Sequence, residues 1–262
     1  MQESDLAQAC ISALWQHFNV DASGALIERV TGHSNEHWKL SLPDQSIFGF
    51  KSWSTATEID GLAVGCSRRD EALNKIAHVV AAPDVCSTRY CCDLSVPPFN
   101  TEPIVISKWI KNAVSMDQLS DEDQGNILSN GKTFFNKLGE WIALGTALGF
   151  RDWTTNNLVW SGATQSLAII DLDWSFDCGK DPASVFTNLI STLRPIDSER
   201  LEAFITEAKS GITSMQQKLI DHDVEIKKVL HDTNDEKLQK FTLKDISGLA
   251  QEAEDRLRKD LK

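Results

Sequence analysis

The sequence has no CxxC pair, no excess of basic residues and no long apolar run, and each absence removes a class of function. Its six cysteines stand at positions 10, 66, 86, 91, 92 and 178, without the spacing of a zinc knuckle. Cys91 and Cys92 are adjacent, which suits neither a strain-free mutual disulfide nor a shared metal. The thiols therefore read as buried and free, in a reducing compartment. Lysine and arginine number 26 against 38 acids, a formal net charge of −12. Binding to nucleic acid or to an anionic membrane needs a broad basic field, so both are excluded as partners, while a small basic pocket is not. No apolar run reaches the ~18 residues needed to span a bilayer. The opening MQESDLAQAC lacks the basic and apolar regions of a secretory leader. The expectation is a soluble, cytoplasmic protein. Internal repeats and low-complexity tracts are absent too.

What is present is a globular composition: 262 residues, 29.1 kDa and 41% apolar, enough for one large domain or two lobes around a cleft. SDLAQACISALWQHF places Leu6, Cys10, Leu14 and Phe18 on one helical face, with Ser4 or Asp5 as its cap. LIERVTGHSNEHWKLSLPDQSIFGFKSW reads as strand, tight loop, strand, turn, strand, with Val30, Trp38, Leu40 and Leu42 alternating with polar residues. SRRDEALNKIAHVV is a helix, TEPIVISKWI a strand, and KNAVSMDQLSDEDQGN a polar loop. KTFFNKLGEWIALGTALGF is a helix apolar enough for a core. NLVW and SLAIIDLDW flank a Ser-Gly-Ala-Thr-Gln turn as a hairpin. From about Pro195 the chain is helical, and Thr242 to Asp245 has the pattern of a helix cap. A β-rich front with one helix, followed by a helical rear, is an α+β arrangement.

Polar residues then stand out at the ends of apolar segments. Asp152 and Asn157 are five positions apart in GFRDWTTNNLVW, and Asp171 and Asp173 end the strand IIDLDW. Transfer of a phosphoryl group asks a protein mainly for positioning, an acceptor for the hydroxyl proton, and cations to offset polyphosphate charge. Magnesium takes oxygen ligands, commonly one or two carboxylates or an amide beside phosphate oxygens. Asp152, Asn157 and Asp171 supply such a set, in that order. Asp171 and Asp173 point to the same side of a strand, so either or both are candidate ligands.

FRDWTTNN resembles the catalytic loop of the protein-kinase-like superfamily, and IIDLD resembles its second metal-binding motif. The IDxD form is closer to aminoglycoside and choline kinases than to ordinary protein kinases. TGHSNEHWKL is similar to the phosphate-covering turn of that group, through Gly32, Ser34 and Asn35. FGFKSW matches the strand of the ATP-contacting lysine, giving Lys51, and RRDEALNKIA the helix whose glutamate pairs with it, giving Glu71. EPIVISKWI resembles the hinge strand, whose backbone from Ser107 through Lys108, Trp109 and Ile110 would take adenine. The pieces fall in order over roughly residues 27 to 190. Taken singly, each has an ordinary explanation. Lys51 can be a solvated strand lysine, Glu71 a partner of Arg68 or Lys75 on its own helix, and Asp152, Asn157 and Gly32 turn formers.

The resemblance implies a bilobal fold, with a β-rich N-lobe over 1–110 and a mainly helical C-lobe over 111–262. It implies ATP and Mg2+ as cofactors, with Mn2+ as a substitute ion. Lys51 would hold the α- and β-phosphates, Asp152 would orient or deprotonate the acceptor, and Asn157 with Asp171, and Asp173 as a second choice, would hold the metal. Three departures stand beside it. Phe150-Arg-Asp replaces the usual His-Gly-Asp, so Phe150 has to fill the histidine's place by packing. No Ala-Pro-Glu follows Asp171, which argues against an activation loop controlled by phosphorylation. Trp109 and Asp152 are only 43 positions apart, leaving little room for the helical insert of small-molecule kinases and favouring a protein acceptor. A kinase of small hydroxyl-bearing molecules and a non-catalytic nucleotide-binding module are the alternatives. A compact kinase of this kind also fits a secreted bacterial effector acting in a host cytosol.

Overall fold

The computed structural model describes residues 3–30, 36–52, 63–80, 89–94, 96–99, 103–150, 154–170, 193, 197–233 and 235–260. The chain divides into two units, Met1–Glu71 with Ser87–Lys111, and Ala72–Cys86 with Asn112–Lys262.

The first unit is built on a five-stranded antiparallel sheet with strand order β1-β2-β3-β5-β4. Its strands are β1 (Leu26–Arg29), β2 (Glu36–Ser41), β3 (Ile47–Ser52), β4 (Arg89–Cys92) and β5 (Ile104–Lys108). Side chains alternate across a strand, and the register pairs Trp38 with Phe50, Leu40 with Phe48, and Phe50 with Ile106. Those residues therefore share one face, against which α1 (Glu3–Phe18) buries Leu6, Cys10 and Leu14. Phe18, half-buried, meets Phe48 edge-on at 5.0 Å between ring centroids. The expected cap at Ser4 or Asp5 is corrected, since both residues lie inside the helix. Between β2 and β3 the Asp44 carboxylate accepts from the Ser46 N–H at 2.8 Å, a turn that aspartate favours. Strand β4, RYCC, was missed in the sequence, where only its thiols drew attention.

Helix α2 (Ala63–Val79) crosses from one unit to the other. Its second half, with Ala72, Leu73, Ile76 and Ala77, belongs to the core of the second unit. That core is organised by α4 (Gly131–Ala147) and α5 (Ser198–Asp221). Phe134, Phe135, Leu138, Trp141 and Ile142 of α4 are all buried, as are Phe204, Ile205, Ala208, Ile212 and Met215 of α5. Lys218 on α5 pairs with Glu140 on α4 at 2.5 Å. Ahead of α4 come β6 (Val114–Ser115) and α3 (Asp121–Ser129), and after it the hairpin β7 (Leu158–Ser161) and β8 (Ser166–Ile169). The rear is completed by α6 (Asp223–His231), α7 (Glu236–Gln239) and α8 (Leu249–Asp260).

Two local expectations in this unit are corrected. The segment read as a polar loop contains α3, held by a capping box in which Ser120 and Asp123 exchange hydrogen bonds. A short helix that buries only Ile127 leaves almost no apolar period to read. The expected cap at Thr242 to Asp245 does not start a helix. The Lys244 N–H is bonded to the Ala147 carbonyl at 2.9 Å, Asp245 accepts from the Ser247 N–H, and α8 begins only at Leu249. Among the described residues no helix is long and apolar enough to cross a membrane.

Candidate active site

In the second unit the described candidate, Asn157, lies between the end of α4 and a hairpin. Helix α4 stops at Gly149, whose φ of +65° is the left-handed region that glycine enters without penalty. The Gly149 N–H bonds the Thr146 carbonyl at 3.1 Å and the Phe150 N–H the Gly145 carbonyl at 2.8 Å. This is a Schellman stop, and it drives the residue after the glycine inward. Phe150 is accordingly buried in the core at 1% exposure. It lies two residues before Asp152.

On the far side of that acid, Thr155–Asn157 form a short 3-10 turn, with the Asn157 N–H donating to the Thr154 carbonyl. Asn157 is buried at 6% exposure. The hairpin that follows pairs Leu158 with Ile169 and Trp160 with Leu167. Trp160 stacks edge-on against Phe134, and the Trp141 indole donates to the Leu167 carbonyl at 3.3 Å, so both strands are fastened to α4. The ladder has one further rung: the Ile170 N–H donates to the Asn157 carbonyl at 2.8 Å. Asn157 is thereby held beside the residue that precedes Asp171 in the chain. Asp152, Asp171 and Asp173 themselves lie outside the described residues.

In the first unit Lys51 is half-buried on β3, paired with His37 of β2 and Val105 of β5, and Val105 pairs in turn with Cys91 of β4. His37, Lys51, Val105 and Cys91 therefore form one row across the face opposite α1. Burial pushes the Cys91 thiol up to about 11, and the Glu71 charge adds to that rise. The same charge also raises the neighbouring Cys92 thiol, whose side chain points to the opposite face, so it places Glu71 near the end of β4 without assigning it to the Lys51 face. Lys108 does not share that face. It pairs with Phe48 on the α1 face, and its ammonium helps to hold the Asp44 carboxyl below the usual range, after that acid's bonds to Ser46. The Trp109 N–H is engaged by the Ile47 carbonyl at 2.8 Å. Gly32, Ser34 and Asn35 lie outside the described residues. His37 and Gly49, which share the Lys51 face with Ser107, were not singled out from the sequence. Their signal is the two-residue period about Lys51, which needs the strand register to be read.

Neither the known sequence-family patterns nor the curated proteins give a match to this chain. Solved structures do. The proinflammatory kinase CtkA of Helicobacter pylori is 13% identical and superimposes with a TM-score of 0.50, over 90% of this chain and 96% of its own. The chain has a protein-kinase-like fold. Weaker similarities run to the MAP kinase LmaMPK10 of Leishmania major (10% identity, TM-score 0.38, 99% of this chain and 82% of that one). They run also to the GDP and kanamycin complex of APH(2")-IIia (10% identity, TM-score 0.37, 98% of each chain). In this fold Lys51 lies on the antiparallel sheet of the first unit and Asn157 at the foot of the hairpin in the second.

Proposed function

We propose that the protein is an ATP- and Mg2+-dependent phosphotransferase that moves the γ-phosphate to a hydroxyl group of a protein. The hydroxyl oxygen attacks the γ-phosphorus, the bond to the β-phosphate oxygen breaks, ADP leaves, and Asp152 takes the hydroxyl proton. Lys51 holds the α- and β-phosphates, and Glu71 orients its ammonium. The observation that carries this reading is the bond from the Ile170 N–H to the Asn157 carbonyl. It supports a shared site for an amide and a carboxylate that lie fourteen positions apart in sequence.

The donors fit a magnesium ion. Asn157 is a buried amide at a strand end, and Asp171, with Asp173 as second choice, adds carboxylate oxygen, the hard-ligand chemistry that this ion takes. When bound, the ion offsets charge on the polyphosphate. Among the described residues no cluster of three histidine, cysteine or acidic side chains offers a competing metal site. Support for a protein acceptor comes from the stretch between Trp109 and α4. It holds a two-residue strand and a nine-residue helix rather than a long helical insert.

The test is incubation with labelled ATP, Mg2+ and a cell lysate, alongside Asp171→Ala. Labelled protein bands that vanish in the variant are expected. Label appearing only in added amines or sugars moves the acceptor to small molecules. Stabilisation by nucleotide without transfer, about 2.7 kcal/mol at 100 times Kd, leaves a binding module and overturns the enzyme.

A further inference from the structure

Gly49 stands two positions before Lys51 on β3, so the two residues face the same side of the sheet, one strand repeat or ~7 Å apart. Having no side chain, Gly49 leaves bare backbone on that face. The space over it is taken by Trp109. A Cβ at position 49 would overlap the indole Nε1, and would come within 3.2 Å of His37 Nε2 and of Ser107 Oγ. The indole is tilted at 58° to the His37 ring with centroids 6.0 Å apart.

This tryptophan is held differently from the others nearby in sequence. Trp141 and Trp160 are locked in the core at 2% and 0% exposure, whereas Trp109 is 36% exposed. Its backbone is pinned by the bond to Ile47, but its side chain has one surface on β3 and the other toward solvent. A rotation about its side-chain bonds would clear Gly49 without disturbing the strand ladder.

A nucleotide gripped at Lys51 by its phosphates needs a flat apolar surface for its base within a few ångströms on the same face. Bare backbone at Gly49, bordered by His37 and Ser107, leaves flat space for such a ring, with polar atoms at its edge. A purine and an indole are fused bicyclic rings of similar size, so the two compete for one place. We propose that Trp109 is a gate on the nucleotide-base site, its indole lying on Gly49 where the base of a purine nucleotide binds and swinging away when the nucleotide enters. This inference rests on the phosphotransferase reading of Lys51.

A gate that is closed nine-tenths of the time weakens apparent nucleotide affinity about tenfold, because only the open fraction binds. Removing the indole removes that penalty. Tripolyphosphate carries the phosphates without a base, so it reaches Lys51 whether the gate is open or closed. The experiment is calorimetric titration of the full chain with a non-hydrolysable ATP analogue and with tripolyphosphate, both with Mg2+. Wild type is compared with Trp109→Ala and with Trp109→Phe, whose smaller ring guards against a folding defect in the first variant.

The expected result is about tenfold tighter nucleotide binding by Trp109→Ala, a smaller gain for Trp109→Phe, and unchanged tripolyphosphate binding. Equal or weaker nucleotide binding by the variants overturns the gate while leaving the phosphotransferase reading intact. An equal gain for tripolyphosphate also overturns it, since the indole would then act on the whole site rather than on the base. Absence of binding of either ligand by wild type and variants alike removes the phosphotransferase reading, and the gate falls with it.

Discussion

Gly139 on α4 lies so close to the carbonyl of Ala208 on α5 that a methyl group at position 139 would overlap it. Gly211 on α5 stands in the same relation to the Asn136 carbonyl of α4. The two longest-buried helices of the second unit thus touch backbone to backbone, and neither neighbour can yield by turning a side chain. Gly139→Ala and Gly211→Ala should each destabilise the protein. Overpacking costs roughly 1–3 kcal/mol, and the ~1 kcal/mol by which alanine is the better helix former offsets only part of it. Lower urea midpoints for both variants are the expected reading; a midpoint equal to wild type would show that the helices separate freely.

Gly125 on α3 offers the opposite case. It is exposed, and nothing stands within 4 Å of where its Cβ would be. Gly125→Ala should therefore raise the stability of α3 by up to ~1 kcal/mol through helix propensity alone. Slower amide exchange across 124–128 would register it, and faster exchange would contradict the open environment at this position.

The capping box of α3 makes a separate prediction. The Ser120 hydroxyl accepts from the Asp123 N–H at 3.1 Å, and the Asp123 carboxylate accepts from the Ser120 N–H at 3.2 Å. Loss of such a cap costs ~1 kcal/mol. Ser120→Ala should speed amide exchange in the first turns of α3 about fivefold and leave α4 and α5 unaffected. Exchange that accelerates equally throughout the second unit would mean that α3 is not a local unit.

The parts of this fold that were legible in the sequence are those whose neighbours are near in the chain. The alternation Trp38-Lys39-Leu40 and Phe48-Gly49-Phe50 encodes two strands of a sheet, and the apolar stripe of α4 encodes a core helix. The turn between NLVW and SLAI encodes a hairpin. Strand β4 was not legible, because four residues with a central Tyr-Cys carry no alternation, and pairing with β5 is what makes them a strand. The same limit applies to the candidate site. Asp152, Asn157 and Asp171 are visible as a spaced motif, whereas Trp109 over Gly49 depends on which strands pair and in what register. Lys108, a neighbour of Trp109 in sequence, turned out to face away from Lys51 for the same reason: one residue along a strand reverses the face.

Burial of thiols in the first unit gives a pH dependence. Cys10 and Cys92 are pushed up to about 12 and Cys91 to about 11, chiefly by burial, against about 8.5 in an unfolded chain. Between those values the folded protein holds protons that the unfolded chain has released. Stability from these groups is complete below about pH 8.5 and is lost as pH rises toward 11 and 12. Urea midpoints should fall across that range, and the decline should be shallower in a Cys10→Ala, Cys92→Ala double variant. Equal slopes in variant and wild type would assign the decline to other groups. At pH 8 the three thiols should also resist alkylation, since the thiolate is the reactive form, and peptide mapping after brief iodoacetamide treatment reads this directly.

Asn157 separates a structural role from a chemical one. Its backbone carbonyl receives the Ile170 N–H, a bond that survives any substitution of the side chain. Asn157→Ala therefore keeps the rung that holds the hairpin end in register while removing the amide oxygen. If that oxygen stabilises charge at the transferring phosphoryl group, the transfer rate should drop about a hundredfold or more, the scale seen when one preorganised polar group is lost. The metal concentration giving half-maximal rate should rise as well. Asn157→Asp restores an oxygen at the same place, so it should recover part of the metal dependence where alanine does not. A purely structural asparagine would lower thermal stability in both variants and leave the metal dependence of the residual rate where it stands in wild type.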